Sequence, residues 1–384
     1  MISTAMKPML SARTFRAIII ATSLSTLAAC SPPPSSKVLI ETGNKSIISS
    51  YQAFSLASQK LNKAATSYCK AAEDNQKFET VRSTWREAVL GWSTVQNIQF
   101  GPLMVDNQAW KIQFWPDKKN LIARKVEALL KESDVITPQR VDDASVVVQG
   151  LSSLEYLLFD AKAGTLERYT GEKGQRRCEL LVAVSDHLNN VSSGLYNSWR
   201  ADGGNYISTF SKTGEKNTEF PDDNIAIGYL LDTLVSGVEL IKRDKLERPL
   251  DITTGGNGEE NHPLQTQVYQ LEWWRSQYSK QAIITNLHAL KNIFNANEAY
   301  GLDDYLRDVK QQSALSDKIN DGFKRCIAAA SAIEGSLFSI ANKPEHRQPI
   351  LAFDSELANL LAVLRNDLPT ALGVSLGFNS KDGD

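Results

Sequence analysis

Residues 80–98 read TVRSTWREAVLGWSTVQNI. Trp85, Val89, Trp92 and Gln96 fall at i, i+4, i+7 and i+11, the repeat of an α-helix with a wide apolar stripe on one side. The same period returns in NLIARKVEALLKES (120–133) and in GQRRCELLVAVSDHLNNVSSGLYNSWRADG (174–203), where Gly203 and Gly204 mark the stop. It resumes in IAIGYLLDTLVSGVELIKRDKL (225–246) and over roughly 268–295, 302–312, 314–342 and 349–368. Alternating β-branched patterns are nearly absent, so the predicted fold class is all-α. A polar stretch near 204–225 interrupts the helices, and RPLDITTGGNGEENHPLQ (248–265) reads as a loop from its Gly, Asn and Pro. A chain of 384 residues exceeds what one ordinary core organises, so two helical bundles are expected, over 45–215 and 216–384.

The N-terminus follows different rules. Lys7, Arg13 and Arg16 form a positive leading region, AIIIATSLSTLAA (17–29) is apolar but too short to span a bilayer, and LAAC (27–30) sets small residues before a cysteine. This is the pattern of an export leader over 1–29, and LAAC resembles a bacterial lipobox with Cys30 as the acylated new N-terminus. SPPPSSK behind it suits an extended tether over 30–44. Ser31 stands where a retention signal would place Asp, which by family analogy implies the outer membrane, on the periplasmic side of a bacterial cell envelope. No other segment reads as long and apolar enough to span, so the acyl chains are expected to hold the protein to the membrane.

Removing Lys7, Arg13 and Arg16 with the leader takes the formal net charge from −2 to −5, and no basic stripe with interleaved aromatics is present. Nucleic acid is therefore excluded as a partner. Export places Cys69, Cys178 and Cys326 in an oxidising compartment, where one disulfide and one buried thiol are expected, and the residues alone allow three pairings. There is no HExxH, CxxC pair, Walker loop, GxGxxG after a strand or GxSxG elbow. His187, His262, His288 and His346 lack the i,i+3 or i,i+4 spacing of helical metal ligands, so each reads as a surface or packing histidine.

QGLSSLEYLLFD (149–160) stands apart. Val147, Leu151, Leu154 and Leu158 form one helical stripe, and Val148, Ser152, Glu155 and Phe159 form a second, about 100° round the axis. Ser152 and Glu155 then lie side by side. Gly150 inside a helix costs about 1 kcal/mol relative to Ala, which a close approach by another backbone or a ligand would explain. Two readings stay open: a tightly packed helix with Glu155 paired to an Arg or Lys of the other bundle, or a site.

WREAVLGWSTVQNIQFGPL (85–103), KIQFWPDKKN (111–120), GLSSLEYLLFD (150–160), RRCELL (176–181), LEWWRSQYSKQAIITNLHAL (271–290), YGLDDYL (300–306) and GVSLGFNSKDGD (373–384) together resemble the imelysin family. They occur in the family's order and span nearly the whole exported chain. The resemblance implies two related four-helix-bundle-like halves with a cleft between them, export in bacteria, often as a lipoprotein, and association with iron uptake. The family is also called the insulin-cleaving membrane protease family, yet its sequences carry no recognised protease apparatus. Its hallmark is G-x-H-x-x-E, whose His and Glu are the proposed metal ligands. Gly150 and Glu155 match, but Ser152 stands at the histidine. A serine hydroxyl is a poor ligand for zinc, iron or copper, so Glu155 is the one motif ligand retained, and the cofactor, a metal ion or an iron chelate, is left unassigned. In the second half, Glu272, Trp274, Arg275 and Ser276 are expected to begin a helix that faces the cleft. Arg275 would bind an anion or pair with Glu155, and a tryptophan there would stack on a ligand or pack in the core. The family pattern pairs Cys69 with Cys178.

The function expected on this basis is that of an exported binding or accessory protein in iron uptake. Its ligand would sit in the cleft beside Gly150, Ser152 and Glu155, and its partner would be an iron-uptake receptor or another envelope protein. One alternative is a metallopeptidase of the imelysin family, for which no three-ligand set and no catalytic residue can be assigned. The other is a structural or partner-binding lipoprotein in which the motif only packs helices.

Overall fold

The computed structural model describes residues 32–252 and 265–375, together with residues 1, 2 and 4. Most of the expected leader, the lipidation site Cys30 and the terminal GFNSKDGD lie outside the described residues. The main helices are α1 (Pro34–Glu41), α2 (Ser49–Cys69), α3 (Asn75–Val95), α4 (Gly150–Phe159), α5 (Gly171–Trp199), α6 (Asp223–Glu239), α7 (Ser279–Phe294), α8 (Ser313–Ala332) and α9 (Arg347–Ala362). No strand occurs among the described residues, and the protein is all-α.

Helices α2, α3, α4 and α5 pack on one another as a first group, and α6, α7, α8 and α9 as a second. The apolar stripe of α3 explains its central place. Trp85, Val89 and Trp92 are buried, and α3 also packs along α7, so it joins the groups. Asp74 starts α3 by accepting the Lys77 amide at 3.1 Å, which satisfies a donor the helix leaves free. The bridge between Cys69, at the end of α2, and Cys178, near the start of α5, holds the first group at a Cα–Cα distance of 5.5 Å. Cys326 of α8 is a buried free thiol.

Three expectations about organisation need correction. Residues 34–41 are helix α1 rather than extended tether. Pro34 presets a first-turn φ, Val38 and Leu39 are fully buried, and α1 packs on α6. Ser35 and Ser36 both donate to Asp223 Oδ2, at 2.5 and 2.8 Å, which fixes that end. The polar connector contains a short helix, Tyr206–Ser211, and buries Phe210 and Phe220. Finally, one segment does meet the length and hydropathy of a membrane span: Asp223–Leu250, 28 residues long, whose most apolar 18-residue stretch has a mean hydropathy of 1.4. It is α6 with its continuation, and its apolar residues face α1, α7 and α9 inside the protein.

Candidate functional site at the seam between the helical groups

Gly150 begins α4 instead of lying within it, because Val146–Val148 form a separate 3₁₀ turn. Its φ of +64° is left-handed, and a Cβ there would lie 2.2 Å from the Ile112 carbonyl oxygen. Only glycine suits a position that combines that turn with that approach. Gln149 secures the turn from the other side, donating from Nε2 to the carbonyls of Val141 at 2.9 Å and Ala144 at 3.0 Å. Every residue from Gly150 to Leu158 is buried, so both stripes of α4 are interior and Ser152 and Glu155 are core residues, 4% and 3% exposed.

The partner of Glu155 comes from the second half. Its Oε1 accepts the Ser276 amide at 3.0 Å and the Ser276 hydroxyl at 2.7 Å. Burial pushes the Glu155 carboxyl above its ordinary value, and the bonds from Ser276 and the nearby Arg275 charge offset only part of that. Ser276 lies in an irregular segment, since residues 271–278 do not begin a helix as expected. Trp273 and Gln277 take left-handed φ of +55° and +56°, and α7 starts only at Ser279. This segment runs against α3 and α4, with the Trp273 ring edge-on to Trp85 at 5.5 Å.

Arg275 turns away from the role expected with Glu155. It pairs with Asp160 at 3.3 Å, donates to Asn120 Oδ1 at 2.8 Å and lies 4.3 Å over the Trp274 ring. Trp274 in turn stacks on Phe338, with ring centroids 5.8 Å apart and planes 23° from parallel. Asp160 ends the QGLSSLEYLLFD motif itself, so that motif contributes two carboxylates to the seam rather than one.

Glu272 anchors a polar cluster that is sealed from solvent. Its Oε1 accepts from Gln113 Nε2 at 2.8 Å and Gln96 Nε2 at 3.2 Å, and its Oε2 accepts from Lys245 Nζ at 2.8 Å. Lys245 also donates to Gln96 Oε1 at 2.8 Å and Asn286 Oδ1 at 2.7 Å. Burial pulls the Lys245 amine below its ordinary value. Lys245, Gln113 and Asn286 were not anticipated from the sequence. The one available signal was Gln96, a polar residue on the apolar stripe of α3.

The donors at this seam do not fit a transition metal. Ser152 replaces the motif histidine, Glu155 Oε1 is engaged by both donors of Ser276, and among the described residues no group of three His, Cys, Asp or Glu could hold an ion. Two clefts, of about 750 and 430 Å³, open on the surface, and none of Gly150, Ser152, Glu155, Glu272, Trp274 and Arg275 lines either.

The imelysin family profile matches residues 47–364. The fold is similar to that of an imelysin-like protein from Psychrobacter arcticum 273-4, with a TM-score of 0.72 at 18% identity over 90% of this chain and 97% of that one. It is similar too to a protein from Parabacteroides distasonis ATCC 8503 provisionally described as an iron-regulated protein A precursor, with a TM-score of 0.72 at 17% identity and the same coverage. No curated protein matches the chain.

Proposed function

Because this chain belongs to the imelysin family, we propose that it is a lipid-anchored binding or accessory protein of the bacterial envelope that serves iron acquisition at the seam around Glu155. The carrying observation is the buried Glu155 carboxylate, held by Ser276 across the two helical groups. A carboxylate whose burial opposes its charge is poised for a group that brings compensating donors. Trp273 Nε1, on the segment that carries Ser276, is buried without a hydrogen-bond partner, and such an unpaired group costs about 1–3 kcal/mol. It would serve a ligand that enters at this seam. The iron-regulated description of one structural relative supports the iron association, and the LAAC run supports anchoring through Cys30 at the outer membrane.

The test uses Trp85 and Trp273, which flank the seam, as reporters. Tryptophan fluorescence of the purified protein is titrated with ferric citrate. Saturable quenching that weakens at least tenfold in Glu155→Gln is the expected result. Equal quenching in both proteins, or none, overturns the role given to Glu155. A specific observation also favours the structural reading, namely that Glu155 Oε1 is already satisfied by two donors. Under that reading the substitution changes stability alone.

A further inference from the structure

The larger cleft, about 750 Å³, belongs to the first helical group and to the connector that follows it. One wall is a single face of α5, where His187, Asn190, Val191, Gly194 and Ser198 recur at helical spacing. Gly194 is unusual there. It sits inside a 29-residue helix, is exposed, and a Cβ on it would meet nothing within 4 Å. Glycine is unfavourable in a helix interior, and no neighbour demands one at this position. Its effect is to keep the wall of the cleft open.

The opposite side is built around Tyr206. Gly101 has a φ of +65°, and a Cβ on it would lie 2.4 Å from the tyrosine ring, so glycine lets that ring sit against the backbone. Trp199 meets Tyr206 edge-on at 4.8 Å, and the Tyr206 hydroxyl donates to Glu219. The ring is thus held from three directions at the cleft's edge.

His187 lines the same cleft, is 4% exposed, and its side chain makes no hydrogen bond within the protein. Its Nε2 has no partner, and its Nδ1 lies 3.8 Å from Asp142 Oδ1, beyond hydrogen-bond reach. Burial holds the imidazole below its ordinary pKa, which keeps it neutral at pH 7. Buried polar side chains normally find a partner, and this imidazole instead sits neutral in the lining of the cleft with its Nε2 out of solvent's reach.

The charges narrow the ligand class. Lys111 is paired with Asp142 at 3.1 Å and Glu219 accepts from Tyr206, which leaves the cleft without a spare cation for an anionic ligand. The other polar lining consists of amides and a hydroxyl, from Gln108, Gln139, Asn190 and Ser198. No strand edge is present among the described residues to take an extended peptide, and the polar lining does not suit the apolar face of a helical one. The volume falls in the range of small-molecule sites.

We propose that this cleft binds a neutral, hydroxyl-rich ligand of oligosaccharide size, with Tyr206 as the surface for a sugar ring and Asn190 and Gln108 as partners for its hydroxyls. The site is separate from the seam at Glu155 and stands or falls independently of the role given to that residue.

Isothermal titration calorimetry of the purified protein with chitotriose and with maltotriose tests it. At least one trisaccharide is expected to bind with a dissociation constant below about 10 mM. Gly194→Leu, which fills the cleft from an exposed helix position, and Asn190→Leu, which removes a hydrogen-bonding amide, should each weaken binding roughly tenfold or more at an unchanged melting temperature. The absence of binding by both sugars overturns the proposal. So does full affinity in both folded variants, or tighter binding of citrate or of a neutral tripeptide than of either sugar.

Discussion

Lys245 Nζ lies 2.8 Å from Glu272 Oε2, and both side chains are 1% exposed. The two residues come from different parts of the second half, and Gln96, which caps the C-terminal end of α3, reaches across from the first to hydrogen-bond with both. Two charges taken out of water are tolerated here because Gln113 and Asn286 meet the remaining lone pairs and protons. Removing one charge strands the other. Lys245→Met is expected to destabilise the protein by about 3–5 kcal/mol, while Lys245→Met combined with Glu272→Met recovers much of that loss. Urea unfolding of the two single variants and the double variant measures the coupling. Additive losses would show that the pair does not act as a unit.

Glu155 has a carboxyl raised by burial, which fixes the sign of its pH dependence. A folded-state value above the unfolded one means that its stabilising contribution is full in acid, below the ordinary 4.5, and is lost as pH rises through the raised value. Every tenfold gain in proton affinity on folding is worth about 1.4 kcal/mol. Glu155→Gln keeps an oxygen acceptor for Ser276 and carries no charge. The variant should therefore be at least as stable as wild type at pH 7, with the difference closing as pH falls toward 4.5. Paired urea melts from pH 4.5 to 8 test this, and a wild type that gains on the variant as pH rises would refute it.

Gly150→Ala places a methyl group 2.2 Å from a backbone oxygen at a φ of +64°. The left-handed conformation alone costs on the order of 1 kcal/mol for alanine, and displacing the Lys111–Ile112 backbone brings the expected loss to about 3 kcal/mol. Thermal denaturation reads it directly. A loss under about 0.5 kcal/mol, the scale of a neutral surface change, would mean that the turn relaxes freely.

The Cys69–Cys178 bridge closes a loop with a sequence separation of 109 residues. Chain-entropy bookkeeping gives a loop of that length about 4–5 kcal/mol, and measured losses for native bridges run about 2–5. Cys69→Ala with Cys178→Ala should lower the urea midpoint of unfolding by a corresponding amount. Cys326, whose buried thiol is pushed up to about 12, should stay unreactive toward thiol reagents in the folded protein.

The helices were legible because their apolar period depends on neighbours three and four residues away. Trp85, Val89 and Trp92 point to one face of α3 from sequence alone, and they are buried as that pattern requires. The place where α4 begins was not legible. Valines 146–148 continue the apolar text, while the break arises from the closeness of Gly150 to Ile112, 38 positions earlier in the chain. The segment 271–278 misled for a similar reason. Its residues accept a helix, but the contacts that Trp273 and Ser276 make with Trp85 and Glu155 hold it in an irregular path.

What the sequence by itself determined was the all-α class, most of the helix positions and the family. The partners of the charged residues were decided by tertiary structure alone. Arg275 chose Asp160 and Glu155 took Ser276, while Lys245, which reads as one more charge at the end of an apolar helix, became the cation of a sealed core. The physical reason is range. Helical periodicity is enforced within a few residues, but a buried charge is satisfied by whichever donor or acceptor the packed chain brings within about 3 Å, and that depends on the whole fold.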